Sequence, residues 1–254
     1  MKLYKYRTIN KFTLINLFLG TVYYPRASEL NDPCDAQMRV TKPGDSAMHH
    51  NLATELFSEA LPPGAQIDRE GVSGDLGVLF NSLADAKIKE FCSRGIYSLS
   101  EDPAHHLMWS HYADSHRGLC IEYEVNPSDH PFFGPVQYTS SHEPTRFVDV
   151  HSNPDSAIRK YYFDKSIPWQ YEREWRLLTK QGGALGVDLF KVSALIVGAR
   201  TPDIDCLAIA SLAISRDIPL RRAKAGDDSK EVTLQNVEPS HFATECARRA
   251  GIAA

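Results

Sequence analysis

Leu119-Cys120-Ile121-Glu122-Tyr123-Glu124-Val125 is the stretch whose reading decides the fold. Apolar and polar positions alternate through it, the period of two expected of a half-buried strand. Upstream, Leu107, Met108, Tyr112 and Ala113 take helical spacing up to Gly118. Residues 96–100 before them read as another strand, and Asp102-Pro103 as an N-cap followed by the favoured first-turn proline. Downstream, Ile158, Tyr161 and Tyr162 mark a helix, residues 169–179 a strand and residues 194–198 a buried strand. Thr201-Pro202-Asp203 caps a helix running to about Arg216, and residues 219–223 and 232–234 have the composition to complete the sheet.

The start of the chain repeats the pattern. Leu3-Tyr4-Lys5-Tyr6-Arg7 alternates as a strand, Leu14, Leu17 and Phe18 follow at helical spacing to Gly20, and residues 21–24 return to strand. Asn31-Asp32-Pro33 is a turn, because Asn and Asp bond their own backbone and Pro fixes φ. Residues 36–95 differ: Met48, Leu52 and Leu56 recur every fourth position before Pro62-Pro63-Gly64. Leu76, Leu79, Phe80, Leu83 and Phe91 define a second amphipathic helix closed by Gly95. The expected fold class is therefore α+β. A mixed or antiparallel central sheet with flanking helices carries a helical insertion near 36–95, and the segment after Pro239 is a short helix or a frayed tail. Residues 1–254 read as one domain.

Composition narrows the function classes. The 254 residues are 43% hydrophobic and 24% charged, which excludes collagen, coiled coil and disorder. The net charge of −4 supplies no global basic field, so nucleic acid is not indicated, though a local basic groove stays open. Five scattered cysteines without a C-x-x-C pair read as reduced thiols of a cytoplasmic protein. The apolar run 12–19 is broken by Thr13 and Asn16, and no 18-residue apolar stretch predicts a spanning helix.

Three constellations carry chemistry. Glu172-x-Glu174-Trp175-Arg176, read as a strand, puts two carboxylates and a guanidinium on one face, able to orient a sugar hydroxyl and stabilise developing positive charge. A solvated strand face is the plainer alternative, against which Trp169, Tyr171 and Trp175 argue for a walled cleft. Trp109-Ser110-His111-Tyr112 offers an acid–base imidazole and a ring to stack on, or simply core aromatics. Arg7, beside Tyr4 and Tyr6, suits a phosphate through its planar fork, or is an edge-strand charge. His105, His106, His111, His116 and Cys120 match no metal spacing, and no G-x-S-x-G, G-x-G-x-x-G or Walker A loop occurs.

The segments Tyr4–Arg7, Thr21–Tyr24 with Ser28-Glu29-Leu30-Asn31-Asp32-Pro33, Ser98-Leu99-Ser100, Met108-Trp109-Ser110-His111-Tyr112-Ala113, Gly118 with Ile121-Glu122, Lys165 with Trp169 and Tyr171-Glu172-Arg173-Glu174-Trp175-Arg176-Leu177, and Ile196-Val197-Gly198 resemble a bacterial and phage family, domain of unknown function 2971. Cys34 stands where that family usually carries an aromatic. The motif order also resembles, more loosely, that of the ADP-ribosyltransferases. This second resemblance implies an NAD-dependent transferase. Arg7, flanked by Tyr6, would bind the NAD phosphates or adenosine ribose, and Tyr112 would stack on nicotinamide with His111 and Ser100 as polar contacts. Glu174 would hold the ribose and stabilise an oxocarbenium-like transition state, and Glu172 would orient the acceptor. The candidate catalytic residues are Glu174, Glu172 and His111. The candidate cofactor-binding residues are Arg7, Tyr6, Ser100, Tyr112, Trp109 and Arg176. The partner is a macromolecular or small-molecule acceptor. Two alternatives stand beside this reading: a non-catalytic nucleotide- or protein-binding module, such as a phage-defence sensor, and an NAD or nucleoside glycohydrolase.

Overall fold

The computed structural model describes residues 1–36, 39–41, 76–141, 143–226 and 231–252. Along the chain, β1 (Lys2–Arg7), α1 (Lys11–Leu19) and β2 (Thr21–Tyr24) precede β3 (Val40–Thr41), α2 (Leu76–Phe91) and β4 (Gly95–Ser100). Next come α3 (His106–Tyr112), β5 (Leu119–Glu124), β6 (Phe133–Pro135), β7 (Gln137–Thr139) and β8 (Thr145–Arg146). After α4 (Phe147–Ser152), α5 (Pro154–Phe163) and β9 (Asp164–Ser166), a 3-10 turn over Ile167–Glu172 leads into β10 (Glu174–Thr179) and β11 (Ala184–Val187). The described chain ends with β12 (Lys191–Val197), α6 (Asp203–Arg216), β13 (Leu220–Ala225), β14 (Val232–Val237) and α7 (Pro239–Arg249).

Eight strands form one mixed sheet in the order β14-β13-β12-β5-β1-β4-β10-β6. Its neighbours are antiparallel except β12 and β13, which run parallel because α6 returns the chain between them. The fold is thus α+β with a mixed sheet, as the sequence implies. Three short pairs, β11-β2, β3-β8 and β7-β9, lie outside this sheet. The feature that positions the site is a change in pairing around β1. It is bonded to β5 along its whole length, from Lys2↔Glu124 to Arg7↔Leu119. On its other side it meets β4 at the single position Tyr4↔Ser100. The sheet therefore opens between β1 and β4.

Both faces are covered. On one, Leu3, Leu99, Leu119, Ile121, Leu195 and Val197 pack against Cys206, Ile209, Ala210 and Ala213 of α6 and Phe242 of α7. On the other, Tyr4, Tyr6, Cys120 and Ile196 meet Met108, Trp109 and Ala113 from α3 and its C-terminal end. A further cluster joins Phe91, Ile96, Val150, Ile158, Tyr162 and Leu178. Each large apolar side chain buried in this way stabilises the fold by roughly 1.5–3 kcal/mol.

Three local expectations are corrected, and a fourth is settled in favour of one of its alternatives. Strand β5 is covered on both faces, since Glu122 is only 1% exposed and is held by Lys2, Ser193 and Arg221. Its alternation reflects a buried carboxylate at Glu122, and only the terminal Glu124 is exposed. Helix α3 begins at His106, and Asp102 instead accepts from the Ala104 backbone N–H at 2.8 Å, closing a local turn. Residues 169–172 are 3-10 helical, because Pro168 sits in the first turn and Arg173, at φ 45°, makes a left-handed corner before β10 starts. The segment after Pro239 is helical, capped by the Glu238 carboxylate on the Ser240 and His241 N–H groups. The helix expected through Phe91 is present over Leu76–Phe91, with Gly95 opening β4 and not capping it, whereas the helix through Met48, Leu52 and Leu56 lies outside the described residues.

Candidate functional site

The corner at Arg173 places consecutive chain segments on one wall of the opening between β1 and β4. Ser100 Oγ donates to the Glu172 carbonyl at 2.6 Å, the Glu101 N–H donates to the Arg173 carbonyl at 3.2 Å, and the Glu174 N–H donates to the Tyr138 hydroxyl at 2.9 Å. These bonds fix the backbone on both sides of the corner. Glu172, at the end of a 3-10 turn, and Glu174, at the start of a strand, consequently reach the same lysine. Lys165 Nζ is 2.5 Å from Glu172 Oε2, 2.8 Å from Glu174 Oε2 and 3.5 Å from Asp35 Oδ2. Arg176 completes the cluster. Its Nε and Nη2 grip Glu174 at 2.7 and 3.0 Å, Nη2 also donates to Asp35 at 2.5 Å, and Nη1 donates to the Tyr162 carbonyl at 2.7 Å.

Asp35, Glu172, Glu174, Lys165 and Arg176 are all at least nine-tenths buried. Three carboxylates against two cations leave the cluster with a formal excess of one negative charge. Buried ions of this kind persist only when the mutual attraction and hydrogen bonds offset the loss of hydration. The two glutamates resolve that balance in opposite directions. For Glu172, burial dominates and pushes its carboxyl above the usual range, with Lys165 offsetting only part of the effect. For Glu174, burial is outweighed by the charges of Arg176 and then Lys165, which hold its carboxyl well below that range. A pair of carboxyls driven apart in acidity is the pattern that separates acid–base work from electrostatic stabilisation.

Glu172 and Glu174 line a cleft of about 230 Å³ together with Lys165 and Asp35. Tyr4, Tyr6, Leu99, Met108 and Tyr112 supply its apolar and aromatic lining, and Pro25, Leu30 and Asn31 border it. Tyr112 donates to Glu172 Oε1 at 2.5 Å and accepts from Asn31 Nδ2 at 3.2 Å. Burial and the adjacent Glu172 charge raise its phenol well above the ordinary value. Asp35 Oδ1 is buried with no donor among the described residues, so an acceptor remains available on a residue that lines the cleft.

The other residues singled out in the sequence have distinct places. Ser100 and Tyr6 line the cleft, but their hydroxyls are committed to the carbonyls of Glu172 and Asp102. Trp109 is 0% exposed, edge-on to Tyr6, with its indole N–H on the Pro103 carbonyl, so it is a core aromatic that does not reach the cleft. Arg176 is equally buried and orients Glu174 without lining the cleft. His111 is exposed and bonds Tyr171 through Nδ1 at 2.9 Å, outside the cleft. Arg7 faces a different recess, because it sits three residues after Tyr4 and side chains on β1 alternate between faces. The expected convergence of Arg7, Tyr112 and Glu174 thus holds only for Tyr112 and Glu174. Among the described residues no group of three His, Cys, Asp or Glu side chains is arranged to hold a metal ion. No helix among them is long and apolar enough to cross a membrane.

Sequence reasoning missed Asp35, Asn31, Tyr138 and Lys5 as site residues, and quoted Lys165 without a role. A signal for the first two was present: the Asn31-Asp32-Pro33 turn is rich in side-chain acceptors, and Asp32 anchors Trp169 by accepting its indole N–H at 2.7 Å. Lys5 gave none, since an alternating strand reads its lysine as solvent-facing. It instead donates to the Ser98 carbonyl at 2.7 Å across the gap beside β4.

An α+β framework with a buried carboxylate–lysine–arginine cluster at an opened sheet is the class that fold and site define. Residues 108–177, from Met108 on α3 to Leu177 on β10, match the family model described as Protein of unknown function (DUF2971), in agreement with the resemblance carried by the motifs. No curated protein and no solved structure matches the chain.

Proposed function

We propose that the Glu172–Glu174 cleft binds a ribosyl nucleotide, with NAD the leading candidate, and cleaves its nicotinamide–ribose bond. The observation that carries this reading is the divergence in acidity of two carboxyls facing one aromatic-walled cleft. Glu174, held ionised by Arg176 and Lys165, supplies the fixed negative charge that favours an oxocarbenium-like ribose. As the C1′–N bond breaks, its electron pair leaves with nicotinamide. An acceptor hydroxyl then forms the C1′–O bond and gives its proton to Glu172, whose raised carboxyl suits it to act as the base. Asp35 Oδ1, without a donor among the described residues, offers an acceptor for a sugar hydroxyl. At about 230 Å³ the cleft is slightly below the roughly 300 Å³ lower bound of ordinary small-molecule sites. It suits one ring and its sugar, with the rest of a dinucleotide extending past Asn31.

With water as the acceptor, the same chemistry is hydrolysis. A second reading, a binding module without turnover, is favoured by one feature: both Glu174 oxygens already accept bonds from Lys165 or Arg176. Nicotinamide release by the purified protein, measured with and without cell lysate, tests all three. Release that is lost in Glu172→Gln supports the enzyme, and free ADP-ribose without a labelled acceptor identifies hydrolysis. Saturable NAD binding without release in either condition supports the module, and absence of both removes NAD.

A further inference from the structure

A second recess, of about 140 Å³, lies between α1 and the sheet on the face of β1 away from Tyr4 and Tyr6. Arg7, Asn16, Thr21, Tyr123 and Asp188 contribute its polar lining, and Leu17 and Ile121 its apolar part. Two opposite charges border it without touching. Asp188 is oriented by the Tyr123 hydroxyl, which donates to Oδ2 at 2.8 Å, and by the Phe190 N–H, which donates to Oδ1 at 3.2 Å. Tyr123 is in turn fixed by the Tyr97 hydroxyl at 2.8 Å, so the carboxylate is set on a rigid buried base. The half-buried Arg7 guanidinium has no hydrogen-bond or ion-pair partner among the described residues, although Asp188 feels its charge after that of Arg216. A guanidinium that could close an ion pair with a neighbouring carboxylate, and does not, leaves its planar fork of donors for a ligand.

We propose that this recess binds a small zwitterion of the α-amino-acid type, its carboxylate taken by Arg7 and its ammonium by Asp188. The inference is independent of the chemistry assigned to the Glu172–Glu174 cleft, with which this recess shares no lining residue. A lone anion would satisfy Arg7 but face Asp188, and a lone amine would do the reverse. A molecule carrying both charged groups on one carbon satisfies both sites at once. The size of the recess restricts the choice to short side chains, since a water molecule already takes about 30 Å³ of liquid.

The test is calorimetric titration and thermal-shift measurement with glycine, L-alanine, L-serine and L-aspartate. Acetate and ethylamine serve as probes carrying one charge each. At least one zwitterion should bind, with acetate and ethylamine about tenfold weaker or worse. Arg7→Met and Asp188→Asn should each weaken it by about tenfold or more, the loss expected for one charge-assisted contact. Circular dichroism and urea unfolding of both variants separate a lost ligand from a lost fold. If a variant is misfolded, Arg7→Lys replaces it and should retain partial binding. Failure of every zwitterion to bind at millimolar concentration, binding of acetate as tight as that of the zwitterion, or binding indifferent to both folded variants would each overturn the assignment.

Discussion

Tyr112 at the end of α3 donates its phenol proton to Glu172 Oε1 at 2.5 Å, joining two walls of the cleft that are 60 residues apart in the chain. This bond is one of the influences that lower the Glu172 carboxyl against the larger effect of burial. Tyr112→Phe should therefore cost about 1.5–3 kcal/mol, the range for a hydrogen bond to a charged group. It should also raise the Glu172 carboxyl further. A carboxyl raised in the folded state keeps its proton when the unfolded chain has lost it. Stability then falls as pH rises from 4.5 toward the folded value, and the variant should show a steeper fall. Urea midpoints measured from acidic to neutral pH check both expectations, and identical slopes in variant and wild type would refute the second.

Glu174 predicts the opposite pH dependence. Its folded carboxyl stays ionised below the ordinary value of 4.5, so the unfolded chain binds the extra proton first. The stability it contributes is complete above 4.5 and is lost as pH falls toward the folded value. Glu174→Gln should flatten the acid limb of the stability profile. At neutral pH it should also destabilise the fold by about 3–5 kcal/mol, because Arg176 and Lys165 lose a buried counter-charge. Loss of turnover in that variant alone would be ambiguous, and Glu172→Gln is the cleaner probe of chemistry. Lys165→Met should be as damaging as Glu174→Gln, since it leaves Glu172 and Asp35 repelling across one site. A urea midpoint for Lys165→Met equal to wild type would refute the shared-cation account.

Much of the framework was legible because local rules acted alone. The strand–helix–strand start follows from alternation in β1, apolar spacing in α1 and the left-handed cap at Gly20, φ 66°. The site was only half legible. Glu172 and Glu174 were found by a strand reading that is wrong for Glu172, and they converge through the Arg173 corner instead. Asp35 and Lys165 lie 141 and 11 positions from Arg176, and no periodicity brings such residues together. For Trp109 and His111 the sequence left a site and a core reading open: the helix turns its tryptophan into the core and its histidine out to Tyr171. The direction of α3 relative to β1 decides this, and that direction is a tertiary property.

The close approach at the end of α3 depends on a glycine. Asp114, Ser115 and His116 all have positive φ, and the chain then passes so tightly that a Cβ on Gly118 would lie 2.2 Å from the Arg7 carbonyl oxygen. The Gly118 carbonyl also accepts from the Gly198 N–H and the Thr201 hydroxyl. Backbone on both sides leaves no flexible side chain to give way. Gly118→Ala should therefore cost about 1–3 kcal/mol or more and disturb β1, β5 and β12 together. Hydrogen exchange at Leu119 and Val197 reports this directly, and unchanged protection would refute it.

Lys5 carries the last prediction. Burial pulls its ammonium from 10.5 down to about 7, with the Arg7 charge the next cause and the Glu174 and Glu172 charges opposing. Lys5 borders the cleft, while its amine donates to the Ser98 carbonyl and lies over the Tyr97 ring. Between 7 and 10.5 the unfolded lysine holds a proton that the folded one has lost, so stability should rise with pH across that window. Lys5→Met should remove the slope. Limited acylation near neutral pH, read by mass spectrometry, should modify Lys5 ahead of the highly exposed Lys191. Unfolding the protein in urea should abolish that order. Labelling of Lys191 first in the folded protein would refute the reactive, deprotonated Lys5 amine.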